Sequence, residues 1–163
     1  IGTLEVQSMS MAPGYWRQHK LRAVSGNEWL TTTDRCFRDD LGNYHYCGRV
    51  DDWFKVGGKW VAPFEIERVL GAHDAVWECA VIGSTGDDGL LKPLAFVVLN
   101  VGFAASDDLS EQLRQHVKHH LAPYKYPRWI EYVDALPRGA TGKLLRYKLK
   151  STKRRRVETL TPL

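Results

Sequence analysis

Apolar positions in this chain fall into short alternating runs separated by glycine-rich turns, with regular helical spacing confined to stretches beyond residue 62. Leu4 and Val6 alternate with polar neighbours as in a half-buried strand, until Pro13-Gly14 interrupts the run. Arg17 to Ser25 shows no such alternation and reads as helical or irregular, with Gly26-Asn27 as a turn. Trp29 to Thr33 predicts a strand with Asp34 at its end, Asp39 to Asn43 a turn, and Tyr44 to Val50 a further strand. These short strands carry too little apolar mass for a core of their own.

The next stretch changes character. Trp53 to Val56 and Lys59 to Ala62 are β-branched and aromatic runs joined by Gly57-Gly58, and a glycine pair supplies the positive φ of a two-residue hairpin turn. In that register Phe54 and Val56 share a face with Val61 and Lys59, and Lys55 lies opposite Trp60. Pro63 suits a first helical position, Glu65 and Glu67 suit the positive helix end, and Ile66, Val69 and Leu70 form an apolar stripe.

Val76 to Ile82 and Pro93 to Leu99 predict strands, the second so continuously apolar that burial on both faces is expected; a polar loop, Ser84 to Lys92, joins them. Ser106 can cap a helix whose stripe is Leu109, Leu113, Val117 and Leu121, with Asp107 and Asp108 early and Lys118, His119 and His120 late, and Pro123 ends it. Trp129 to Val133 predicts a strand, Pro137 to Lys143 a loop, and Leu144 to Lys150 a last helix. Hairpin, helix, two strands, helix, strand, helix is an α+β layout, with helices against a small sheet.

The chain's 163 residues, 44% hydrophobic and 26% charged, hold one ordinary domain or one small domain plus a piece of another. The net charge of +4 is misleading, because residues from Arg146 onward carry +6 and the rest −2. The basic balance belongs to the tail. Cys36, Cys47 and Cys79 have neither disulfide-framework nor zinc spacing, so a reducing cytoplasm is the expected compartment. No apolar run is long enough to span a bilayer and no signal-peptide pattern is present. Ile1 leads to the expectation that the chain starts inside a longer protein.

Chemistry concentrates in Gly48 to Glu67, GRVDDWFKVGGKWVAPFEIE, where Arg49, Asp51 and Asp52 precede a bare glycine backbone that a ligand can approach closely. This run resembles a core motif, GRxDDxxKxxGxxVxPxEIE, of the adenylate-forming enzymes: acyl- and aryl-CoA synthetases, luciferases and peptide-synthetase adenylation domains. Two further stretches carry the same resemblance. WLTTTDRCFRDDLGNYHYCGR, Trp29 to Arg49, resembles TGDxxxxDxxGxxxxxGR, with Thr33 where the family has glycine, a change expected to narrow the nucleotide pocket or alter a turn. LPRGATGKLLR, Leu136 to Arg146, resembles the closing motif LPRTATGKxxR, with Gly139 in place of Thr or Ser. A phosphate-binding P-loop does not fit there, since its glycines are spaced differently and Leu144 stands where Ser or Thr is needed.

The resemblance covers Gly2 to Lys150 and looks most like the benzoate and hydroxybenzoate CoA ligase branch. It implies that residues 1–50 are the end of a large N-terminal adenylation domain with its linker, that 51–150 are a small mobile C-terminal domain, and that 151–163 are a basic tail. The implied reaction activates a carboxylic acid, such as benzoate or hydroxybenzoate, with ATP to an acyl-adenylate and transfers it to CoA after a rotation of the small domain. Asp34 and Arg49 would hold the nucleotide. A carboxylate accepts from vicinal ribose hydroxyls, and a guanidinium offers planar donors. Asp51 is the implied hinge, Lys143 the catalytic lysine of adenylation, and Gly57, Gly58 and Trp60 line the implied tunnel for the CoA pantetheine. Trp60 has a second reading, stapling the hairpin by stacking with Lys55. In the family the lysine loop and the glycine loop lie on opposite sides of the small domain.

The implied partners are the acid, ATP, CoA and the absent N-terminal domain, which would hold most of the Mg2+; neither nucleic acid nor membrane is expected, and a homodimer is left open. No residue of this chain is expected to bind a metal, and the chain alone is expected to be inactive. Transfer to a carrier-protein phosphopantetheine is one alternative, and a non-catalytic binding module using the basic tail another. His116 and His120, one helical turn apart, lack a third metal ligand and read as a solvated helix face. Lys150 to Arg156, without interleaved aromatics, reads as a solvated or disordered end.

Overall fold

The computed structural model describes residues 1–8, 10, 14–17, 20–23 and 29–150. The chain divides into two compact units, Ile1–Asp51 and Asp52–Leu163.

In the first unit, β1 (Gly2–Val6), β4 (Leu30–Arg38) and β5 (Tyr44–Arg49) form an antiparallel sheet in the order β1-β4-β5. Strands β2 (Gly14–Arg17) and β3 (Lys20–Ala23) form a separate antiparallel pair, with Tyr15 opposite Arg22. This corrects the helical or irregular reading of Arg17 to Ser25 at Arg17 and at Lys20 to Ala23, the rest of that stretch lying outside the described residues: cross-strand pairing overrides the local helix preference of Lys, Leu, Arg and Ala. The expected strand of Trp29 to Thr33 is longer and starts one residue later, so Asp34 lies within it rather than at its end. Val6 is exposed, and Leu4 alone of the two is half-buried. Within β1, β4 and β5, Cys47 is the one buried residue. The predicted turn at Gly26-Asn27, Pro13, and the tail 151–163 lie outside the described residues.

The second unit follows the predicted order. Strands β6 (Phe54–Val56) and β7 (Lys59–Val61) pair across Gly57-Gly58 with Phe54 opposite Val61, Lys55 opposite Trp60 and Val56 opposite Lys59. Helix α1 (Pro63–Gly71) has proline in its first turn and buries Ile66, Val69 and Leu70. Strands β8 (Val76–Thr85) and β9 (Leu91–Leu99) extend the expected pair inward, with Ser84 opposite Lys92 and Thr85 opposite Leu91, and Gly86 to Leu90 close the turn. Helix α2 (Asp107–His120) is capped by Ser106, whose hydroxyl accepts from the Leu109 amide at 3.1 Å, and strand β10 (Trp129–Tyr132) runs parallel to β9. The last helical segment, 146–150, starts two residues later than expected, because Leu144 bridges back to Arg138.

The sheet β10-β9-β8 is covered on both faces, and strand alternation decides which residues face which side. Val81, Ala95 and Val97 meet α1, α2 and the β6–β7 hairpin through Ile66, Leu70, Leu113, Val117, Phe54 and Val61. Ala80, Ile82, Leu94 and Phe96 meet Leu136 and Leu149, with Leu144 packed alongside. The continuous apolar run of β9 reflects this two-sided cover, each fully buried Leu, Ile or Val contributing about 1.5–3 kcal/mol. Among the described residues no helix is long and apolar enough to cross a membrane.

Candidate active-site segments

In the first unit the site begins with a glycine. Between the pairs Asp34–Arg49 and Cys36–Tyr46, β4 advances two residues and β5 three, and the extra residue on β5 is accommodated beside Gly48 at φ +85°. The bulge makes half-buried Asp34 and exposed Arg49 direct register partners across two strands. The Asp34 amide donates to the Thr32 hydroxyl at 3.1 Å, and that hydroxyl donates to the Leu4 carbonyl at 2.8 Å, tying the site to β1. Arg49 also bonds the Asp51 carboxylate at 3.1 Å. Thr33 is exposed in an extended strand, a conformation that suits a β-branched residue, so its replacement of glycine alters no turn. The aspartate of the following turn, Asp39, accepts from the Leu41 and Asn43 amides and from His45 Nε2 at 2.7 Å. It serves the turn.

The second unit carries two loops. Gly57 and Gly58 adopt φ of +55° and +79°, the left-handed pair of a tight hairpin turn, and their absent side chains would meet nothing within 4 Å. Trp60 is 57% exposed, and the Lys55 ammonium lies 4.8 Å from its ring centroid. The hairpin is docked by Phe54, whose ring packs on Gly83 of β8.

Lys143 belongs to a second, irregular hairpin. The Gly139 amide donates to the Lys143 carbonyl at 2.9 Å, the Gly142 amide to the Gly139 carbonyl at 2.9 Å, and the Leu145 amide to the Pro137 carbonyl at 2.8 Å. Gly142 has φ +77°, which the turn requires, whereas a β-carbon at Gly139 would touch Leu145 no closer than 3.6 Å. Gly139 therefore leaves room for the family's Thr or Ser. Arg138 braces the loop by donating to the Gly142 carbonyl at 2.8 Å and pairing with Glu78. Leu136 and Leu144 seat it on the sheet face opposite to that holding the β6–β7 hairpin, and Lys143 itself is exposed. The structure thus brings Asp34, Arg49 and Asp51 into one local group and Gly57, Gly58 and Trp60 into another, with Lys143 across the sheet from the second.

His116 and His120 are not a simple solvated face. The His116 ring is half-buried, lies 4.6 Å from that of His120 and 5.3 Å from that of His73, and its Nε2 donates to the Val69 carbonyl at 3.1 Å. Burial, then the neighbouring His120, holds its pKa below the ordinary value. Among the described residues no group of three or more His, Cys, Asp or Glu is placed to hold a metal ion.

Residues 65–143 match the family of the AMP-binding enzyme C-terminal domain. The chain carries an AMP-binding enzyme C-terminal domain. It is 48% identical, over 92% of its length, to the benzoate–CoA ligase of Thauera aromatica, and 49% identical, over 92%, to the 4-hydroxybenzoate–CoA/benzoate–CoA ligase of Rhodopseudomonas palustris. Among solved structures it resembles the anthranilate CoA ligase AuaEII in complex with anthranoyl-AMP, with a TM-score of 0.82, 44% identity and 93% of this chain covered. It also resembles a benzoate CoA ligase from Burkholderia xenovorans LB400, with a TM-score of 0.79, 47% identity and 91% covered. The chain spans 28–30% of these proteins' lengths.

Three residues of this domain carry more of its architecture than their motifs announced. Arg146 donates to both carboxylate oxygens of Glu67, at 2.5 and 2.9 Å, and to the Val81 carbonyl at 3.0 Å, and its Nε lies 3.3 Å from Asp52. The signal was present as the closing arginine of one motif and the closing glutamate of another. Only the fold reveals that they meet.

Proposed function

We propose that the full-length protein is an AMP-forming aryl-CoA ligase acting on an aromatic carboxylic acid such as benzoate or a hydroxybenzoate. The observation that carries this reading is the placement of exposed Lys143 and the Gly57-Gly58 turn on opposite faces of one sheet. Two chemically different loops on one body suit a reaction in two steps, each presented to the same centre by a rotation of that body. The ligases named above, similar over more than nine tenths of this chain, support the substrate class.

In the first step the acid's carboxylate attacks the α-phosphorus of ATP, an acyl-adenylate forms and pyrophosphate leaves. Two anions must approach, and the Lys143 ammonium, fixed by its hairpin, offsets their repulsion and the charge developing on the phosphate oxygens. Asp34 accepts from the ribose hydroxyls and Arg49 donates to ribose or phosphate oxygens. Asp51 is the pivot. In the second step the open backbone of Gly57 and Gly58, beside Trp60, guides the pantetheine so that the CoA sulfur attacks the acyl carbon and AMP departs. Mg2+ accompanying ATP is assigned mainly to the N-terminal domain. Residues 1–50 are read as the end of that domain, 51–150 as the moving domain and 151–163 as a basic tail. A cytoplasmic location is proposed from the spacing of Cys36, Cys47 and Cys79, which suits neither a disulfide framework nor a zinc site.

The test separates the half-reactions in the full-length protein: benzoate-dependent exchange between ATP and pyrophosphate, and thioester formation from preformed benzoyl-adenylate. Lys143→Ala is expected to lower exchange by about 100-fold or more while thioester formation persists. Gly58→Leu should show the reverse. Equal loss of both activities in both variants would overturn the division of labour.

A further inference from the structure

Arg146 stands three residues after Lys143, and its guanidinium joins three other segments of the same unit. It donates to Glu67 of α1 and to the Val81 carbonyl of β8 and forms an ion pair with Asp52, and Glu67 Oε1 also accepts from the Val81 amide at 2.7 Å. The side chains of Arg146, Glu67 and Asp52 are only 20%, 17% and 23% exposed, so solvent screens this network far less than an ordinary surface pair.

Its neighbour in sequence is held otherwise. The Asp51 carboxylate pairs with Arg49 of β5, both side chains being more than half exposed, and the boundary between the two compact units falls between Asp51 and Asp52. Two consecutive carboxylates are therefore bound to cations of different units.

We infer that the Asp52–Arg146 pair is a positioning device that confines the pivot to the Asp51–Asp52 link and makes the lysine hairpin move as one body with Asp52. The inference rests on the roles given above to Asp51 and Lys143. With Asp52 tied to Arg146, and Arg146 to α1 and β8, a reorientation is absorbed before Asp52 rather than spread over Asp52, Trp53 and the β6–β7 hairpin. Lys143, anchored next to the same arginine, then reaches the α-phosphate at one reproducible position. A displacement of about 1 Å at a reacting centre can cost on the order of 100-fold in rate. Lysine cannot replace this arginine, because a point ammonium does not reproduce a bidentate fork on Glu67 together with an ion pair to Asp52.

The experiment uses the full-length protein with Asp52→Ala, Arg146→Lys and Lys143→Ala, measured by acid-dependent pyrophosphate exchange, by thioester formation from preformed benzoyl-adenylate, and by thermal unfolding. Asp52→Ala keeps the Glu67–Arg146 pair, so it tests the clamp with least damage to the fold. The expected result is a 10- to 100-fold fall in the kcat of exchange for Asp52→Ala and Arg146→Lys, on the order of one misplaced catalytic group, with KM for the acid unchanged and thioester formation within threefold of wild type. Asp52→Glu, which keeps the charge, should recover part of the loss. Unchanged exchange in Asp52→Ala overturns the inference, as does a parallel loss of both half-reactions with a lowered Tm, the mark of a merely structural pair. If Lys143→Ala also left exchange intact, the functional reading beneath it would fail instead.

Discussion

The ring of Phe54 lies so close over Gly83 that a β-carbon added there would sit 2.8 Å from Cγ and 3.0 Å from Cδ2. Glycine in the middle of a strand weakens it, yet here it admits the side chain that docks the glycine-turn hairpin on the sheet. Gly83→Ala should therefore destabilise the domain by about 1–3 kcal/mol, as overpacking does. Urea unfolding of this chain measures it, and a change below about 0.5 kcal/mol, the range of ordinary surface substitutions, would mean that Phe54 is seated elsewhere.

Cys79 makes a prediction about reactivity. Its thiol lies on the α1-facing side of β8 and donates to the Glu67 carbonyl, with the Glu67 charge nearby. Burial first, and then that negative charge, pushes its pKa up to about 12. Because the thiolate is the nucleophile, Cys79 should resist iodoacetamide at pH 8 in the native protein and react once the chain is unfolded in urea. Peptide mapping after alkylation reads this directly, and rapid native labelling at Cys79 would show that the sheet face is open.

These two contacts mark where the sequence stops being legible. The β6–β7 hairpin, its register and the first turn of α1 follow from Gly57-Gly58 and Pro63 because local chemistry alone determines them. The Ser106 cap is equally local. Strands β2 and β3 escaped because pairing partners, not propensity, decide such a segment, and Asp34 was misplaced within β4 for the same reason. The Lys143 loop was legible as a motif. Its seating on the far sheet face by Leu136 and Leu144, and the meeting of Glu67 with Arg146 across 79 residues of chain, depend on the tertiary fold.

The Asp39 turn gives a titration in the first unit. Hydrogen bonds to the carboxylate, from His45 first and Asn43 next, lower the Asp39 pKa from 3.8 to about 2. The folded state thus binds this proton less readily than the unfolded chain. Its stabilising contribution is complete above pH 3.8 and disappears as pH falls through about 2. An NMR titration of the Asp39 carboxyl should find the low midpoint in wild type and a rise toward 3.8 in His45→Ala. A wild-type midpoint already near 3.8 would mean that the bonds do not form in solution.

The histidine group between the helices gives the opposite end of the useful pH range. The Val69 carbonyl can only accept, so His116 Nε2 carries the proton that binds it, and a further proton must go on Nδ1. Desolvation opposes that step most, and His120, His73 and His119 add like charge as they protonate, so the His116 pKa lies below 6.5. With the folded value depressed, the contribution of neutral His116 is complete above pH 6.5 and is lost as pH falls through its lower folded pKa. Urea midpoints at pH 7.5, 6.5 and 5.5 should therefore decline toward acid in wild type. His116→Gln retains an amide donor for the Val69 carbonyl and cannot titrate, so its decline should be shallower. His120→Gln should also make the decline smaller, because removing the nearest competing charge lets the His116 pKa rise toward 6.5. If both variants track wild type at every pH, the acid sensitivity of the domain comes from another group and the α1–α2 contact is indifferent to its histidines.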